Sequence, residues 1–220
     1  MKKLRTFKKK ANRDIRVCKR HFAKSAIGKI EKNSDVFILT AGQFSLIDAM
    51  VEIIDQTGPA DVVISSWTAA SANLIATAEM IESSNIKSFR MIIDRSFHTR
   101  QPDYYYKMVE LFGVESIREI NTHAKFMVII NDSWNIVIRT SMNLNENPRL
   151  ENIEISESKP FADFFIDVTR SIFDDVGVKE RTHIVPKLKE FKEHGEFNLI
   201  KSNKMQIASL KVPEATHEIK

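Results

Sequence analysis

The sequence predicts an α/β domain whose mixed, largely parallel sheet is flanked by helices. Two patterns carry that expectation. From about residue 35 to 120, short apolar runs alternate with segments whose apolar residues recur every three to four positions, as strands alternating with helices do. At 123–140 two apolar runs then meet at Asn131-Asp132-Ser133-Trp134, a turn that folds the second run back beside the first. A length of 220 residues with 43% hydrophobic content supports one core with appendages.

Taken in order, residues 11–32 show Ile15, Cys18, Phe22, Ala26 and Ile30 at helical spacing in a basic background, which predicts a basic amphipathic helix. Val36–Leu39 reads as a short buried strand. Phe44, Ile47, Met50, Val51 and Ile54 mark a helix that Thr57-Gly58-Pro59 stops. Val62–Ser65 is the next strand, followed by an Ala-rich helix over 70–82. Phe89–Ile93 is a strand, Tyr104–Phe112 a helix closed by Gly113, and Val114–Ile120 strand-like. After the hairpin come a strand near Ile153–Ile155 and a helix opened by Pro160 and ended by Gly177. The expected organisation is a basic arm over 1–34, a catalytic domain over 35–178 and a peripheral extension over 179–220, where Lys and Glu displace apolar residues.

The charge is unevenly placed. Residues 1–32 hold 13 Lys/Arg against two acids, so this segment carries +11 and the remainder −7 of a total of +4. Concentrated positive charge at one end suits a polyanion such as nucleic acid; a solvated leader, or an arm on the protein's own acidic body, is the competing reading. Lys8, Lys9, Lys10, Arg16, Lys19 and Arg20 are the candidate contacts. The single cysteine, Cys18, excludes a disulfide framework and a Cys-based metal site, and fits a cytoplasmic location. No apolar run approaches the roughly 20 residues of a membrane helix, so no integral membrane association is expected.

The chemistry concentrates in 123–154. His123 and Lys125 are two residues apart, as are Ser141 and Asn143, and residues i and i+2 of a strand share a face. A hairpin brings the two pairs side by side, so an imidazole, an ammonium and a carboxamide converge on one small anion. Each part also has a structural reading: His123 as a strand-end histidine, Lys125 as an edge charge, and 143–148 as a plain loop.

The ordered set His123-Ala-Lys125, Asp132, Ser141-Met-Asn143 and Asn152-Ile-Glu154 resembles the motif of the phospholipase D superfamily. The likeness extends over roughly 35–175, and it is to single-motif members, the small bacterial and phage nuclease-like proteins. Two departures stand out. Six residues separate Lys125 from Asp132 where the family has four, and Thr140 stands where the family has Gly. Two extra residues lengthen a strand by one side-chain period and leave its faces unchanged.

The resemblance implies covalent catalysis by a phosphohistidine on His123. Lys125 and Asn143 would hold the non-bridging oxygens. Ser141 would support them, Glu154 would orient a histidine ring, and Asp132 would have a structural or pKa-tuning role. It implies no cofactor and no metal. One motif supplies one histidine, so the resemblance also implies a homodimer with a composite site. The expected function is metal-independent cleavage of nucleic acid, as a DNA endonuclease. The alternatives are a catalytically inactive nucleic-acid-binding scaffold, for which Thr140 argues, and a phospholipase or phosphatidyltransferase. Outside the motif, Arg95 and Arg100 are candidate backbone contacts in a loop that includes His98. Trp67 reads as core, and Tyr104–Tyr106 as a half-buried helical turn.

Overall fold

A computed structural model describes residues 12–17, 23–69, 71–83, 85–144 and 149–174, with the backbone alone at 12, 17, 71 and 72. All of them fall in one compact unit, Lys8–Lys187. The C-terminal extension expected over 179–220 lies outside the described residues.

The strands are β1 (Asn12–Val17), β2 (Ser34–Thr40), β3 (Ala60–Ser66), β4 (Ile86–Asp94), β5 (Ile117–Ile120), β6 (Phe126–Ile130), β7 (Asn135–Thr140) and β8 (Glu151–Glu157). The helices are α1 (Ala23–Ile27), α2 (Leu46–Thr57), α3 (Ser71–Glu82), α4 (Ser96–Arg100), α5 (Pro102–Phe112) and α6 (Lys159–Asp174). The strands form one sheet in the order β1-β2-β8-β7-β6-β3-β4-β5. Strands β1 to β5 and β7 point one way; β6 and β8 run antiparallel to their neighbours. The carboxyl ends of β2, β3, β4, β5 and β7 therefore meet the amino ends of β6 and β8 at one edge. Ligand crevices of α/β sheets form at such an edge.

Local signals explain where the elements stop. Ser45 and Asp48 make a reciprocal capping box at the start of α2. Gly58, at φ 83°, ends that helix with its N–H on the Ile54 carbonyl at 2.8 Å. In the β6–β7 turn, Asn131 Oδ1 accepts the N–H groups of Ser133 (2.9 Å) and Trp134 (2.8 Å). That Asx-type bonding sets the hairpin register, with Val128 opposite Val137.

The hairpin is buried on both faces. Met127, Ile129, Ile136 and Ile138 join the core beneath α1, α2, α3 and α5. Phe126, Val128 and Val137 join a second core with Ala162, Ile172 and Phe173 of α6. Two-sided burial is why these strands read as unbroken apolar runs.

Three expectations need correction. The helix expected over 11–32 divides: 12–17 is strand β1, paired parallel to β2, and 23–27 is the short α1, while 11 and 18–22 lie outside the described residues. The unpaired edge of β2 offers ladder partners that outweigh a weak helical period, and Ile15 is left 72% exposed. Residues 96–100 form the single-turn helix α4, not a loop. Trp67 is half-buried at the sheet edge instead of lying in the core.

Candidate active site at the sheet edge

His123 sits in the β5–β6 connection, three residues before β6 begins, and is exposed. Three side chains pin that connection. Asp94 Oδ2, at the end of β4, accepts the Thr122 N–H at 3.2 Å. Thr122 Oγ1 accepts the Ala124 N–H at 3.1 Å, and Ser65 Oγ, at the end of β3, donates to the Ala124 carbonyl at 2.9 Å. The histidine thus stands on a short segment tethered on both sides. Burial acts to raise the Asp94 pKa, but the hydrogen bonds from Ser96 and Thr122 and the charge of Arg100 outweigh it and hold the carboxyl below its ordinary range.

The structure brings His123 and Lys125 together. Lys125 Nζ lies 3.4 Å from each His123 ring nitrogen and 3.2 Å from the His123 carbonyl oxygen. Partial burial pulls the Lys125 ammonium below its ordinary pKa, and the Glu151 carboxylate opposes that shift. The Trp67 ring lies beside the histidine, with centroids 5.8 Å apart at 59°.

Across the hairpin, Ser141 Oγ donates to Glu151 and accepts the Asn152 N–H at 3.0 Å. Glu151 opens β8 on the face of Ile153 and Ile155, the face that carries Lys125. Thr140, the residue that departs from the motif, uses its hydroxyl on the backbone. Oγ1 donates to the Asn152 carbonyl at 2.6 Å and accepts the Met142 N–H at 2.9 Å. Asn143 Oδ1 is buried, with no hydrogen-bond partner among the described residues.

Other expected residues are not brought to this edge. Glu154 lies on the opposite face of β8, paired with Arg139 at 2.6 Å and Arg13 at 3.5 Å. Asp132 is exposed in the turn at the far end of β6, roughly 20 Å away at about 3.3 Å per strand residue. Arg16 is engaged with Asp14 and with the carbonyls of Ala26 and Ile27. Lys8, Lys9, Lys10, Lys19 and Arg20 lie outside the described residues. Arg95 and Arg100 are exposed, following β4 at the site edge, while His98 stacks on Tyr105 at 4.4 Å. Tyr105 is buried and Tyr104 and Tyr106 are exposed. Among the described residues no three His, Cys, Asp or Glu side chains are grouped to hold a metal ion, and no helix is long and apolar enough to cross a membrane.

No family model and no curated protein matches this chain. Among solved structures it is similar to a polyphosphate kinase from Porphyromonas gingivalis, at TM-score 0.51 and 12% identity. The likeness covers 74% of this chain and 30% of the kinase, so the chain spans about a third of that protein's length. The likeness shows a shared mixed α/β fold. A shared fold does not by itself carry an activity, so function rests on the side chains at the sheet edge. Sequence reasoning missed Glu151, Asp94, Ser65 and Thr122 there. Glu151 was within reach, since an offset of three along a strand places it and Glu154 on opposite faces. The tethers were not, because they depend on which strand ends become neighbours.

Proposed function

We propose that this chain is a phosphodiesterase that cleaves nucleic acid through a phosphohistidine on His123, in a site completed by a second copy. The observation that carries this reading is the exposed His123 ring with the Lys125 ammonium 3.4 Å from it at the sheet edge. The ammonium stabilises charge on a phosphoryl group that reacts at the ring.

In the first step a ring nitrogen of His123 attacks phosphorus. The P–N bond forms as the bond to the leaving oxygen breaks, and that oxygen takes a proton from the partner's His123. In the second step water attacks phosphorus, the P–N bond breaks, and the partner's His123 takes the water's proton. Lys125 holds the non-bridging oxygens, with Asn143 as the second candidate. Glu151 accepts the Ser141 hydroxyl and favours the charged form of Lys125. The +11 of residues 1–32 favours nucleic acid over a lipid. The Thr140 hydroxyl is engaged by backbone groups, which supports a reading of Thr140 as a residue that continues the strand.

The test is incubation of plasmid and single-stranded DNA with wild type and His123→Ala in EDTA. The expected result is EDTA-resistant cleavage that the variant loses by roughly a thousandfold or more. No cleavage, or equal cleavage by the variant, overturns the enzyme. Sedimentation at micromolar concentration tests the dimer separately, and a monomer removes the second histidine.

A further inference from the structure

The chemistry at His123 makes no use of Trp67 or Arg100, yet both are held beside it. The Arg100 guanidinium lies over the Trp67 ring, 3.9 Å from carbon to centroid. Arg100 Nη2 donates to the Trp67 carbonyl at 2.9 Å, and Nε donates to Ser96 Oγ at 2.9 Å. Ser96 Oγ in turn donates to Asp94 Oδ1, which also accepts the Ser96 N–H at 2.9 Å. An exposed arginine is normally a mobile side chain. Here two of its three nitrogens and one side of its plane are fixed, while Nη1 has no hydrogen-bond partner among the described residues.

The other neighbour of Trp67 is the His123 ring. Arg100 and His123 therefore rest against the same indole, the guanidinium carbon 3.9 Å and the imidazole centroid 5.8 Å from its centroid, which puts the two groups within about 10 Å of each other. Consecutive phosphates of a single strand fit within that span. The Asp94 charge is felt at Arg100 and opposes an anion there. Both Asp94 oxygens are already engaged, however, by Ser96 and Thr122, and they leave Nη1 open. A guanidinium with a pre-placed N–H is suited to a phosphate oxygen.

We propose that Arg100, backed by Trp67, is a subsite for the phosphate next to the one attacked at His123. The ligand class is a single strand carrying at least two consecutive phosphodiesters. This rests on the nucleic-acid reading above and deepens it: Arg100 selects a chain over an isolated diester, and Trp67 holds Arg100 in place.

The experiment measures binding and so does not depend on turnover. Full-length His123→Ala protein, and the same protein carrying Arg100→Ala or Arg100→Gln, are titrated calorimetrically with thymidine dinucleotide (one phosphodiester) and trinucleotide (two). With Arg100 intact the trinucleotide binds about tenfold tighter than the dinucleotide. In both Arg100 variants that gain falls to about twofold or less, while dinucleotide affinity is unchanged, which also reports that the variants are folded. A gain that survives both substitutions, or no gain with Arg100 intact, overturns the subsite and leaves the nucleic-acid reading standing. Failure of both oligonucleotides to bind any of the proteins overturns the nucleic-acid reading, and the subsite with it.

Discussion

Strand β8 carries two carboxylates three residues apart, and they face opposite sides of the sheet. Glu151 is at the edge where β7 ends; it accepts the Ser141 hydroxyl and its charge reaches Lys125. Glu154 is one rung in from that edge, cross-strand from Arg139 and Phe37, and ion-paired with Arg139 and Arg13. The motif spacing selects Glu154, whereas strand parity and proximity to Lys125 and Ser141 select Glu151. A spacing rule transfers between proteins only while the register of the strand that carries it is the same. With β8 paired as it is here, the acid that influences Lys125 lies three residues earlier.

The largest test of this contrast is kinetic. Glu151→Gln is expected to lower kcat on a nucleic-acid substrate by about a hundredfold, or about 2.7 kcal/mol, with little change in KM, while Glu154→Gln stays within about twofold of wild type. The pH profile adds a readout that a structural role does not move. In the proposed mechanism Lys125 acts as an ammonium, so activity is expected to fall as pH rises through its folded pKa, which burial places below the ordinary range. Removing the Glu151 charge lowers that pKa further, so the alkaline limb moves to lower pH in Glu151→Gln and does not move in Glu154→Gln. The reverse ranking restores Glu154 as the carboxylate that orients a histidine ring.

The Thr140 position comes next. Its hydroxyl ties the end of β7 to β8 and so holds Ser141 beside Glu151. Thr140→Val removes one donor and one acceptor and is expected to cost about 1–2 kcal/mol of stability by chemical denaturation. Thr140→Ser recovers most of that. Equal stability of the Val and Ser variants shows that the hydroxyl does not tie the strands.

Much of this arrangement was legible before the structure. The alternation over 35–120 places β2 to β5 and their helices. The spacing of two keeps His123 and Lys125 together, although both precede the strand. Other features were hidden for identifiable reasons. Asn12–Val17 fits a helical period and a strand period equally, and only the open edge of β2 decides between them. The insertion of β8 between β2 and β7 is a non-local pairing with no local signal, and it sets which of Glu151 and Glu154 faces the site. Trp67 reads as core by composition. Its exposure follows from the β3 end reaching the sheet edge beside His123.

A smaller effect is expected from the structural partner of the pair. Glu154 is 17% and Arg139 44% exposed in the side chain, so their ion pair is screened and contributes on the order of 0.5–1 kcal/mol. Glu154→Gln should lower stability by that amount in low salt and by less in high salt. A loss above about 3 kcal/mol would instead mean that Glu154 anchors the sheet through more than this pair.

The smallest effect concerns Asp94, which positions His123 without touching it. Its folded pKa lies below that of the unfolded chain, because the bonds from Ser96 and Thr122 and the charge of Arg100 favour the carboxylate. The unfolded chain therefore binds the proton first as pH falls. The stabilisation is complete above the ordinary carboxylate pKa and is lost as pH falls from there through the folded value. Asp94→Asn should flatten the acid limb of thermal stability in that window. At neutral pH it should also loosen the Thr122 tether and lower kcat a few-fold without moving the alkaline limb set by Lys125. Superimposable acid limbs for wild type and variant would remove Asp94 as the group that links the end of β4 to the histidine segment.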